Sequence, residues 1–134
     1  MTSTVIYKGA LRTEMTHLQS TSVIENDAPT DNMGKGERFS PTDMVATALG
    51  SCMLTTMAIK ANTMDIDLMD SKIEITKIMK ADPRRIGGIK ALVTMAKTLN
   101  LDDKTKEILE RVARTCPVER SLHPEMELDI SFEW

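Results

Sequence analysis

Residues 40–62 constrain the fold most. Ser40 is a good helix N-cap, Pro41 suits the first helical position, and Asp43 places negative charge in the first turn, where the helix dipole favours it. Met44, Val45, Ala48, Leu49, Cys52, Met53, Met57 and Ile59 follow. They cover most of the helix circumference rather than one stripe. Such a helix has to be covered on nearly every side, and one small sheet cannot do that. The pattern predicts a helix ending near residues 62–64 and a second copy of the chain to complete its cover, hence a homodimer. Thr47, Ser51, Thr55 and Thr56 interrupt the apolar run, so no membrane span is expected.

The flanking segments read mostly as strands. Residues 4–11 and 15–25 are rich in Val, Ile, Thr and Tyr and alternate roughly; Arg12, Thr13 and Glu14 lie at a turn or strand start between them. Residues 26–39, with Pro29, Gly34 and Gly36, form a loop with room for a further short strand. Residues 71–80 alternate apolar and charged side chains, although the step from Ile75 to Ile78 breaks period two. ADPRRIGG makes a hairpin connection to a strand at 88–99 with Ile89, Ala91, Val93 and Met95 on one face. An amphipathic helix starts at Leu101 or Asp102, turns Ile108, Leu109, Val112 and Ala113 inward, and is closed by Cys116-Pro117. Met126, Leu128, Ile130 and Phe132 mark a closing strand. The order β-β-α-β-β-α-β predicts a single α+β domain over residues 1–134 with a largely antiparallel sheet and a buried central helix.

The chain's 134 residues carry a net charge of −3. No basic stripe is available to neutralise phosphates, which argues against nucleic-acid binding. The start MTSTVIYKG has no basic segment leading into an apolar one, so a cytoplasmic location is expected. Two cysteines, two histidines and no CxxC pair exclude zinc and haem motifs; no metal and no cofactor is expected. The 11 methionines read as adaptable core filler, with a Met-lined pocket for an apolar ligand as the sharper alternative.

Cys52 and Cys116 are the candidate reactive groups. Either could be a small buried hydrophobe. Apolar burial makes a thiol inert, and only the thiolate attacks an electrophile, so Cys52 needs a cation nearby. Cys116 at a helix C-terminus sits where the dipole disfavours a thiolate. It suits a resolving role better than an attacking one. Two helix-borne thiols and no others are what a two-cysteine peroxide cycle needs. His17 and His123 read as surface or loop residues, and Glu119 and Arg120 as solvent-exposed.

Two segments carry a resemblance. GERFSPTDMVATALGSCMLTTM resembles the loop and central helix that bear the reactive cysteine of the OsmC/Ohr family of thiol peroxidases, and RTCPVERSLHPE resembles the second cysteine segment. The resemblance covers nearly the whole chain. It implies an intertwined homodimer and reduction of organic or inorganic hydroperoxides. Cys52 becomes the peroxidatic cysteine, forming a sulfenic acid. Cys116 becomes the resolving cysteine, closing a disulfide that a dithiol reduces; in relatives the reductant is often a lipoylated protein. The family arginine maps best to Arg12, with Arg38 as a second candidate. The family glutamate, directly after the loop proline, falls on Thr42. Asp43, about 100° further round the helix, and Glu37 from the loop are the acidic alternatives. This departure opens a second reading: an OsmC-like protein without efficient peroxidase activity, serving redox sensing or apolar ligand binding.

Overall fold

The structure, a computed structural model, describes residues 1–134. Cα packing groups them into two compact units, Met1–Val45 and Ala46–Trp134.

The first unit is a three-stranded antiparallel sheet of β1 (Ser3–Gly9), β2 (Arg12–His17) and β3 (Val23–Asp27), in that order. Gly9, Ala10 and Leu11, at φ of 85°, 50° and 61°, make the first turn. The reversal therefore falls before Arg12, and Arg12 to Glu14 open β2. The run at 15–25, expected as one strand, is two. The reason is local hydrogen bonding, which competes with the ladder. The His17 ring Nδ1 lies 2.7 Å from Ser20 Oγ, Ser20 Oγ donates to Ser22 Oγ at 2.9 Å, and Thr21 turns to φ 59°. Register stacks Val5, Met15 and Ile24 on one sheet face, and Val5 and Ile24 stay exposed at 62% and 51%.

A 3-10 turn at Thr30–Asn32 lies in the following loop. Then α1 (Pro41–Asn62) begins on a reciprocal cap. Ser40 Oγ accepts from Asp43 N at 3.1 Å, while Asp43 Oδ2 accepts from Ser40 N at 2.8 Å and from Ser40 Oγ at 2.7 Å. This is the capping-box pattern with an aspartate in the third position.

The second unit holds the rest of α1 and a sheet ordered β4 (Lys72–Lys80), β5 (Arg85–Thr94), β6 (Glu127–Glu133). The β4–β5 pair is antiparallel, and β6 runs parallel to β5. Burial along β4 alternates without a break, so Ile78 falls on the solvent side with Lys72, Glu74 and Thr76; a register irregularity follows between Ile78 and Met79. Strand β5 starts and ends earlier than the expected 88–99. Helix α2 (Asp103–Ala113) starts as expected, with Asp102 accepting from Thr105 N at 2.7 Å. It ends three residues before Cys116. Pro117 opens a separate short helix, α3 (Pro117–Ser121), so Cys116 is an N-cap and not a helix C-terminus. Proline, without an N–H to bond backwards, suits the first helical position.

By length and composition α1 also matches a membrane-spanning helix, but one face of it packs in a protein core. Ala46, Leu49, Gly50, Met53, Met57 and Ala61 form the buried stripe. They cluster with Ile89, Ala91 and Val93 of β5, Ile130 of β6, and Leu109 and Ala113 of α2. Within the single chain only this stripe is buried; Ile59 on another face is 64% exposed. A glycine allows the close approach. A Cβ on Gly50 would lie 2.9 Å from Ile73 Cγ2 and 3.1 Å from two atoms of Ile75.

Gly50→Val is therefore expected to destabilise the fold by about 2 kcal/mol through overpacking, read as a lower urea midpoint at unchanged slope. An unaltered midpoint would contradict this packing.

Candidate active site

Cys52 lies in the middle of α1, half-buried beside the packed stripe, and Cys116 is fully buried. Both are free thiols. Their segments are far apart in sequence, yet Cys116 lies in the buried core and Cys52 packs against that core, near enough to influence the ionisation of Cys116. The core shared by α1, α2, β5 and β6 brings them to one region. Burial pushes the Cys116 thiol up from its ordinary value; the Glu119 backbone N–H, donating to Cys116 Sγ at 3.4 Å, pulls it part of the way down; and neighbouring Cys52 adds to the rise. The net direction is up, so Cys116 keeps its proton. The capping N–H replaces the carbonyl-end environment expected from the sequence.

Glu119 is the residue that sequence reasoning misjudged. Its Oε2 is buried and has no hydrogen-bond partner. Burial raises its carboxyl above the ordinary value, against the opposing pull of Arg114 and Arg120. Arg114 is held elsewhere: it donates to Ile130 O at 2.7 Å and lies 5.6 Å from the centre of the Phe132 ring. A signal was present in the sequence, because a cap followed by Pro117 puts Glu119 at the third helical position, which faces back to the cap.

The remaining candidates belong to the first unit. Arg12 forks onto Asp27, with Nε to Oδ1 at 2.7 Å and Nη2 to Oδ2 at 2.9 Å, and reaches Glu37 Oε2 at 2.9 Å. Asp27 is 1% exposed and also accepts from Glu37 N at 3.2 Å. Arg12 and Glu37 are thus brought together, through Asp27, which the sequence did not single out. Arg38 pairs with Glu25 at 3.2 Å, and Asp43 is engaged in the helix cap. His17 bonds Ser20, and His123 Nδ1 accepts from Glu125 N at 3.2 Å. Two cavities in the second unit, of about 290 and 260 Å³, each have one methionine in their lining, Met69 and Met126.

The Arg12 fork holds the Asp27 carboxyl below its ordinary value. A carboxyl depressed by folding stabilises above its unfolded pKa, and that stability fades as pH falls through the folded value. Thermal unfolding midpoints should therefore drop on acidification below the ordinary aspartate range. Asp27→Asn should lower the midpoint at neutral pH and flatten this acid limb; an unchanged limb would remove Asp27 as its source.

Comparisons with known proteins agree with the architecture. Residues 34–131 match the family model of OsmC-like protein. A crystal structure from Psychrobacter arcticus 273-4, described as an osmotic stress induced and detoxification response protein, is 49% identical, covers 99% of this chain and 96% of its own, and superposes with a TM-score of 0.94. The organic hydroperoxide resistance protein OsmC of Legionella pneumophila is 17% identical over 100% of this chain and 98% of that one, with a TM-score of 0.75. OhrB of Bacillus subtilis, also an organic hydroperoxide resistance protein, is 14% identical over 99% and 98%, with a TM-score of 0.67. These last two share the fold. No curated protein sequence matches the chain. Fold, family model and the close structural relative agree that the chain belongs to the OsmC-like protein family.

Proposed function

We propose that this protein reduces organic hydroperoxides with its two thiols. The observation that supports the reading is that Cys52 and Cys116, two free thiols carried by separate elements, lie at the same core and near one another. In the first step the Cys52 thiolate attacks the terminal peroxide oxygen. The O–O bond breaks, Cys52 becomes a sulfenic acid, and the alkoxide leaves as an alcohol once protonated. In the second step Cys116 displaces the sulfenic oxygen. An S–S bond forms and water departs. A dithiol of the lipoamide type, free or on a carrier protein, then restores both thiols by exchange.

The roles follow from environment. Cys52 is the more accessible sulfur and meets the peroxide. Cys116 is buried and retains its proton, which suits a thiol that waits. The reading assigns to Arg12 the cation that steadies the thiolate and the leaving oxygen. A second copy of the chain is part of the proposal, because exposed apolar side chains on both units, Val5, Tyr7 and Ile24 in one and Ile59 in the other, want cover.

Reduced protein mixed with cumene hydroperoxide should lose both thiols stoichiometrically. Cys52→Ser should abolish peroxide consumption, and Cys116→Ser should leave a sulfenic acid that dimedone traps. Arg12→Lys, which keeps the charge and loses the fork, should slow thiol loss by about 100-fold. Both thiols persisting in excess peroxide would overturn the reading. Sedimentation should show a dimer, and Ile59→Glu should shift it toward monomer; a monomeric parent would reject the second copy.

A further inference from the structure

Glu119 has no part in the two-thiol cycle as written, yet it has the features of a proton carrier. Its backbone N–H is bonded to Cys116 Sγ, so the residue is tied to that thiol. Its Oε2 is buried without a partner, although a buried acceptor that stays unpaired is costly. Its charge is felt at Cys116, where it opposes ionisation. No lysine or arginine neutralises it by direct contact, since Arg114 is engaged with Ile130 O and the Phe132 ring.

We propose that Glu119 is the general base that takes the Cys116 proton when the disulfide closes, and returns it to the departing oxygen. This rests on the two-thiol reading above. The step balances. The Cys116 S–H proton goes to the Glu119 carboxylate as the sulfur attacks Cys52. The S–O bond of the sulfenic acid breaks, the S–S bond forms, and the leaving hydroxide takes the proton from Glu119 as water. Cys116 sulfur is oxidised and the sulfenic sulfur reduced.

Proton transfer works best between groups of similar acidity. Cys116 and Glu119 are otherwise far apart on that scale. Burial raises the carboxyl and so makes it a stronger base, although it raises the Cys116 thiol as well. The charged and titratable groups that act on it are Arg114 beyond α2, Arg120 of α3 and the Cys116 thiol.

The sign of the effect separates this role from a merely electrostatic one. Glu119→Gln removes a negative charge beside Cys116, so the Cys116 thiolate, followed by its ultraviolet absorbance in a Cys52→Ser background, should form at lower pH. A residue acting by charge alone would then, when removed, speed closure. A general base, when removed, slows it. We expect Glu119→Gln to slow Cys52–Cys116 closure by about 10- to 100-fold, with Cys52 sulfenic acid formation unchanged. The acid limb of the closure rate should also be lost. An equal or faster closure rate in the variant overturns the proposal. Should the variant not fold, the parent's profile decides: closure must fall on acidification with a midpoint above the ordinary glutamate value, and a flat profile overturns the proposal.

Closure is run twice, from peroxide and from diamide, which oxidises thiol pairs without a peroxide bond. No sulfenic acid from peroxide would sink the peroxidase reading. The diamide reaction would still compare parent with variant and judge Glu119.

Discussion

The second unit depends on α1 pressing its Gly50 face against Ile73 and Ile75. Because no Cβ intervenes, the helix backbone approaches β4 closely, and Leu49, Met53 and Met57 reach full burial on either side of the contact. Interiors pack at crystal density, so a helix seated this tightly has little rotational freedom. That fixes where residue 52 points. Cys52 sits one position from Met53 on the helix, beside the stripe rather than in it. It keeps partial access to solvent while packing against the core that holds Cys116. A looser helix would give the two sulfurs no defined meeting point.

Electrostatics divide differently between the units. In the first, a guanidinium, a buried carboxylate and an exposed carboxylate satisfy one another: Arg12, Asp27 and Glu37. A bidentate fork of this kind holds direction as well as charge. It ties β2 and β3 to the loop that precedes α1. In the second unit the ionisable groups near the sulfurs are left with few partners. Cys116 and Glu119 both have the ionised form disfavoured. One site holds its charges by pairing them; in the other, burial makes ionisation harder for both Cys116 and Glu119.

The sequence made much of this legible. Ser40, Pro41 and Asp43 announced the start of α1, and the capping hydrogen bonds are there. Alternation in 71–80 and 126–134 marked two strands of the second sheet, since period two survives wherever one face is buried. The losses have separate causes. The split of 15–25 into two strands came from hydroxyl-to-hydroxyl bonds around Ser20, which strand propensity does not register. The parallel placement of β6 is a tertiary choice that no local pattern encodes. Asp27 was hidden because its importance lies in a partner 15 residues away. Glu119 was taken for a surface residue because charge usually means exposure, and here the short helix after Pro117 turns it inward.

The change at Cys116, from helix end to helix start, alters the chemistry most. At a carbonyl end, burial and dipole would have acted together against the thiolate. At an N-cap, the Glu119 N–H offers the sulfur a donor, and burial with the neighbouring Cys52 offsets it. The residue is left with a thiol that is protonated at rest and still has a hydrogen bond waiting for the anion. Two adjacent thiols gain from this asymmetry. If both ionised, like charges would face each other across a buried contact, which is unfavourable. If neither did, no nucleophile would exist. With the proton kept on buried Cys116, the proposed cycle leaves the attack on peroxide to the more accessible Cys52.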